Sequence, residues 1–134
     1  MKLVVHVDGG ARGNPGPAAA AASLATESGE VVDEATELLG DASNNVAEYR
    51  AVLLGLARAK ALGAGEVEIV NDSELVAKQL TGDYKVKHPA MIALFTQTRA
   101  ALGGFEHWSI RSVRREQNAR ADALVNAALD AAGK

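Results

Sequence analysis

Residues 3–25, LVVHVDGGARGNPGPAAAAASLA, decide how this chain folds. Leu3 to Val7 is a short apolar run rich in β-branched side chains, and it ends on a carboxylate, Asp8. The chain then passes through Gly9, Gly10, Gly13, Pro15, Gly16 and Pro17. A short apolar run bounded by such breakers is the mark of a buried strand. Residues 3–8 are therefore expected to form a strand buried on both faces, and residues 9–17 a loop. Residues 18–26 and 30–39 read as two more strands, joined through the polar turn ESGE.

Beyond the polar segment DASNN (41–45) the period changes. From Asn45 to about Leu62 the apolar residues Val52, Leu56 and Ala59 recur at helical spacing. GAG at 63–65 ends that helix as a glycine cap. EVEIVN (66–71) reads as a second buried strand and SELVAKQL after it as a short helix. A further helix is expected over 89–102, with Pro89 tolerated at its first position. FEHWSIRSV (105–113) reads as a fifth strand, and a closing helix runs from about Asn118 to Ala131. The order βββαβααβα predicts an α/β fold, a mixed five-stranded sheet flanked by helices. No internal repeat or linker divides the chain, so residues 1–134 are expected to be one domain.

A chain of 134 residues, 48% hydrophobic and 23% charged, has the composition of a soluble globular domain with a real core. Only 4% of it is aromatic, so that core must come from Ala, Val, Leu and Ile. There is no cysteine, which excludes thiolate chemistry and leaves oxygen or imidazole for any metal. This fits a reducing cytosol, and a cytoplasmic location is expected. The apolar start is too short for a signal peptide, and no stretch approaches a membrane span. A net charge of −3 argues mildly against nucleic acid as a partner.

Four acids stand in unusual places: Asp8 and Asp72 at the ends of buried strands, and Glu48 and Asp122 on the apolar faces of helices. Each has an ordinary explanation. Asp8 suits a turn and Asp72 a helix cap. Glu48 suits a capping box with Asn45 as N-cap, and Asp122 an acidic first turn after an Asn118 cap. None of these explains why all four lie at the edges of buried elements, where unpaired carboxylates are costly. In open α/β sheets ligands sit beyond the carboxyl ends of strands. Gathered there, the acids would repel and raise one another's pKa values, which divalent cations would relieve. Oxygen-only ligands suit Mg²⁺, with Mn²⁺ able to substitute. Two ions about 4 Å apart would activate a water and stabilise a leaving oxygen in phosphodiester cleavage. They would also carry the formal charge from −3 to slightly positive, which weakens the charge objection.

The segments VDGGARGNPGPA, SNNVAEYRAVLLGL, VNDSELVAKQLTGDYKVK and VRREQNARADALVN resemble, in order, the signature segments of type 1 ribonuclease H. The resemblance covers essentially the whole chain, and that family's fold agrees with the order read above. It implies a metal-dependent endonuclease that cuts the RNA strand of RNA–DNA hybrids, leaving a 5′-phosphate and a 3′-hydroxyl. By motif match Asp8, Glu48, Asp72 and Asp122 fall on the family's metal-binding carboxylates, with Asp8 shared between the ions. Gly9, Gly10, Arg12 and Asn14, with Ser43, Asn44 and Asn45, fall where the family contacts the hybrid's backbone. Such contacts suit a shallow minor groove displaying 2′-hydroxyls. Lys78, Lys85, Lys87 and Arg12 are candidate phosphate contacts, although solvated surface explains the lysines equally well.

Two departures from the family stand out. The loop before Asp122 reads SVRREQNA, without the histidine that many members carry there; Arg115 and Asn118 are expected among the substrate contacts, Arg115 orienting a phosphate with Glu116 or a water handling protons. His6, His88 and His107 lack metal-ligand spacing. Residues 81–88 form only a short turn where some members carry a basic, tryptophan-bearing protrusion. Grip on the hybrid should therefore be weak, and a fused or separate partner domain would compensate. A monomer is expected. The competing readings are a module that binds hybrids without cutting them and a small-molecule phosphate binder. The latter is disfavoured because DGGARGNPG fits neither nucleotide-binding glycine spacing.

Overall fold

Strand β1 (Lys2–Ala11) is the centre from which the rest of the sheet grows. The computed structural model describes residues Met1–Lys134. After β1 come β2 (Gly16–Ala25), β3 (Val31–Ala42), α1 (Asn44–Ala61), β4 (Glu66–Asn71), α2 (Glu74–Thr81), α3 (Pro89–Leu102) and β5 (His107–Ser112). A 3₁₀ turn over Arg115–Asn118 leads into α4 (Ala119–Ala131). The sheet order is β3-β2-β1-β4-β5; the first three strands pair antiparallel, while β4 and β5 add in parallel. This is the mixed five-stranded sheet and the βββαβααβα order expected from the sequence.

Several boundaries differ. β1 does not stop at Asp8: Gly9, Gly10 and Ala11 continue it, paired with Ala20, Ala19 and Ala18 of β2. The alanine run offers a partner for every one of these backbone groups, which outweighs the tendency of glycine to break a strand. The loop expected over 9–17 shrinks to residues 12–15. Nor is β1 buried on both faces. Leu3, Val5 and Val7 are fully buried, whereas Val4 and His6 are only partly covered. β3 extends through Ala42, so the expected loop at 41–45 is reduced to Ser43, and β5 begins at His107 rather than 105.

Low aromatic content is matched by close packing of small residues. Along β2 the alanines alternate between two layers: Ala20 and Ala22 join Val5, Val52 and Leu56 under α1. Ala19 and Ala21 pack with Val125 and Leu129 of α4 on the other face. Gly55 lets α1 lie tight on the sheet, since a Cβ there would stand 2.6 Å from Val5 Cγ1. Gly63 closes α1 with φ of +82°, and Ala64 N–H bonds back to the Ala59 carbonyl, as the glycine cap requires.

The one large polar group inside this core is Tyr49, fully buried, whose hydroxyl donates to Gln79 Oε1 at 2.6 Å and ties α1 to α2. Tyr49→Phe strands the Gln79 oxygen without its donor. It should cost about 1–2 kcal/mol in urea unfolding.

Candidate active site

The four acids reach one cleft by four separate devices. Asp8 sits between Val7 and Gly9 on β1 and is only 7% exposed. Behind it Gly9 is pressed against the start of α1: a Cβ at that position would lie 2.1 Å from the Ala47 carbonyl oxygen and 2.5 Å from the Glu48 nitrogen. That backbone contact brings Glu48 up beside Asp8.

Helix α1 is capped by Ser43, whose Oγ accepts from Val46 N–H at 3.2 Å. Asn45 is therefore not its N-cap, and Glu48 lies in the second turn, beyond reach of a capping box. The carboxylate has no structural duty at the helix end. Asp72 is likewise no cap, because Ser73 fills that place for α2, accepting from Val76 N–H at 3.2 Å. The turn that carries Asp72 is held by Asn71, whose Oδ1 accepts from Ser73 N–H at 2.7 Å and whose Nδ2 donates to the Arg111 carbonyl at 3.2 Å.

Asp122 lies in the first turn of α4. Asn118 precedes that helix but does not cap it through its side chain. Its Nδ2 instead donates to the Val7 carbonyl at 2.8 Å, and the residue is 1% exposed. Expected among the substrate contacts, Asn118 is buried out of a ligand's reach; it fastens the start of α4 to the residue before Asp8.

Together Asp8, Glu48, Asp72 and Asp122 line an open cleft of about 430 Å³. Their mutual repulsion is evident at Asp8, whose pKa is pushed up to about 8 by burial first, then by Asp72, Asp122 and Glu48. Glu48 is raised too, by burial and then by Asp72, while the Ser73 hydroxyl within hydrogen-bonding reach pulls the other way. A buried carboxylate raised by the acids around it marks a site that positive charge would relieve. No three of these groups close around a single point. The fit to divalent cations therefore rests on the all-oxygen donor set, the burial of Asp8 and the shared cleft.

The other expected contacts divide. Gly9, Gly10, Arg12, Asn44 and Arg115 line the same cleft. Arg115 reaches to 3.8 Å from the Asp122 carboxylate and is otherwise largely in solvent. Asn44 Oδ1 accepts from Ala11 N–H at 2.9 Å, and Asn14 Oδ1 accepts from Asn44 N–H at 3.1 Å, so both amide oxygens brace the loop. Ser43 is used as a cap and Asn45 is exposed on the first turn, while Gly9 both lines the cleft and is pressed against α1. Lys85 is exposed in the turn after α2, outside the cleft. His88 caps α3, accepting from Ala90 N–H at 3.2 Å, and His6 and His107 stand away from the acids.

Sequence reading missed Asn126. Its Nδ2 donates to the Asp122 carbonyl at 3.1 Å and lies 3.4 Å from the carboxylate. The signal was its place four residues after Asp122, one turn along the same helix face.

Comparison with known proteins identifies the fold that carries this cleft. Residues 6–128 match the family model described as reverse transcriptase-like. Ribonuclease HI of Halobacterium salinarum is 44% identical over 129 residues, covering 96% of this chain and 65% of that protein. The crystal structure of RNase H1 from the same archaeon superposes with a TM-score of 0.95 at 42% identity, over 97% of this chain and 98% of that one. The chain belongs to the type 1 ribonuclease H family. This ribonuclease H domain is also 44% identical to the bifunctional protein Rv2228c of Mycobacterium tuberculosis, over its whole length but only 37% of that relative. The chain thus spans little more than a third of Rv2228c. The solved N-terminal RNase H domain of Rv2228c gives a TM-score of 0.95 at 43% identity, covering 99% of this domain and 96% of that chain. LC11-RNase H1, solved in complex with an RNA/DNA hybrid, gives 0.93 at 37% identity, covering 98% and 99%.

Proposed function

We propose that this ribonuclease H domain, residues 1–134 acting as one unit, hydrolyses the RNA strand of RNA–DNA hybrids and leaves 5′-phosphate and 3′-hydroxyl ends. The observation that carries the reading is the convergence of Asp8, Glu48, Asp72 and Asp122 on one open cleft. The hybrid bound by LC11-RNase H1 supports the choice of substrate.

Asp8, the most buried of the four and the one that feels the other three, would be shared between two Mg²⁺ ions. Glu48, Asp72 and Asp122 complete the set. When bound, the ions supply activation of a water and neutralisation of the leaving oxygen. The protein supplies position. Gly10 lets the hybrid's backbone come close along the end of β1, while Asn44 on the rim suits a 2′-hydroxyl, which both donates and accepts. Arg115, solvated beside Asp122, orients the scissile phosphate.

Between α2 and α3 the chain makes only the short segment 82–88, so grip on the hybrid is modest and a fused or separate domain strengthens it. The far greater length of Rv2228c is in keeping with that. No helix is long and apolar enough to cross a membrane. The reading is of a monomer at work in the cytoplasm, which suits a chain without cysteine.

A labelled RNA–DNA hybrid incubated with the protein should be cut in Mg²⁺ or Mn²⁺ and left whole in EDTA, while double-stranded DNA and double-stranded RNA survive throughout. Binding of the hybrid without cutting in either metal would instead mark a hybrid-binding module.

A further inference from the structure

Two guanidinium groups line the cleft, and they are held very differently. Arg115 stands largely in solvent. Arg12, on the rim beside the end of β1, is turned away toward the last turn of α4. Its Nη1 lies 2.7 Å from Asp130 Oδ1, and its Nη2 lies 3.4 Å from both the carbonyl and the Oδ1 of Asn126. The pair is lopsided: Arg12's side chain is 35% exposed and that of Asp130 is 69% exposed.

Asp130 is an odd residue for its position. An acid in the final turn faces the negative end of the helix dipole, and α4 has no basic residue there to offset it. It adds nothing to the core, since Val125 and Leu129 make that contact. Its one specific partner is Arg12, and an exposed pair of this kind is weak enough to exchange.

We infer that Asp130 sets affinity for the hybrid by holding Arg12 off the nucleic acid, so that a backbone phosphate must displace the Asp130 carboxylate to take the guanidinium. A backbone phosphodiester offers arginine the same two-oxygen face and the same single charge as a carboxylate, so it can take the place of Asp130 like for like. Asn126 touches both Arg12 and Asp122, so the exchange turns about a residue that also contacts the catalytic cleft. The inference rests on the hybrid-binding reading given above.

The test is anisotropy of a fluorescent RNA–DNA hybrid titrated with protein at low salt in EDTA, where no cutting occurs. Wild type, Asp130→Asn, Arg12→Ala and the double variant are compared. Asp130→Asn should bind about threefold more tightly, a gain of the size an exposed pair allows, and with a steeper salt dependence. The gain should vanish when Arg12 is alanine. In Mg²⁺, KM should fall in step while kcat holds. Unchanged or weaker binding by Asp130→Asn overturns the inference, because Asp130 then presents Arg12 rather than withholding it. An equal gain in the Arg12→Ala background overturns it too, since any lost acid would then do. Failure of wild type to bind the hybrid at any salt removes the ribonuclease reading itself, and this inference with it.

Discussion

Asp8→Asn should yield a protein that no longer cuts a hybrid yet unfolds at a higher temperature than its parent. The two effects share a cause. In the folded protein the Asp8 carboxyl is held up to about 8, against 3.8 for an ordinary aspartate. Between those values the folded state keeps a proton that the unfolded state releases, so raising the pH favours unfolding. The contribution is full below the unfolded value and lost as pH passes about 8. Asparagine cannot ionise, and at pH 8 in EDTA the variant should gain on the order of 2 kcal/mol. Urea unfolding across pH 4 to 8 should show wild type losing stability while the variant stays nearly level. Mg²⁺ should restore the wild type by binding its folded form, and do much less for the variant. Cleavage should fall by about 10³-fold or more, since an ion that neutralises developing charge is worth several kcal/mol. Full activity, or a variant less stable than wild type at pH 8, would remove Asp8 from the centre of the site.

Gly9→Ala is the second large effect, and it works through the backbone. The added methyl would meet the Ala47 carbonyl and the Glu48 nitrogen at distances no packing tolerates, and neither is the end of a flexible side chain. Strand and helix must part. Overpacking of this kind costs roughly 3 kcal/mol or more, and Glu48 moves with the helix. Both the urea midpoint and hybrid cleavage should drop sharply. A contrasting Gly10→Ala, whose Cβ would meet only Val125 Cγ1 at an ordinary 3.6 Å, should unfold near the wild-type midpoint. If Gly9→Ala folded as stably as Gly10→Ala, the close approach of β1 to α1 would not be what positions Glu48.

The architecture was legible where local chemistry and tertiary packing agree. EVEIVN is a strand in any environment that buries it, and Pro89 starts a helix by its own geometry; β4 and α3 run over the residues expected. Misplaced boundaries occur where a partner decides. Gly9 and Gly10 look like a break until the alanines of β2 are set beside them. DASNN offers several possible caps, and the choice of Ser43 goes with Asn44 being drawn to Ala11 at the end of β1 and to Asn14 in the loop that follows. That four acids would share one cleft was readable from the cost of burying them singly. Their supports were not. Asn118, Asn126 and Asp130 act on residues more than a hundred positions away, and nothing in local sequence announces such a partner.

The bond from Asn118 to the Val7 carbonyl joins parts of the chain 111 residues apart. All five strands precede α4 in the chain, so the sheet's pairings are complete before that helix is added. During synthesis, then, an emerging chain can hold Asp8, Glu48 and Asp72 in place and still lack its fourth carboxylate. Docking of α4 is the event that completes the cleft.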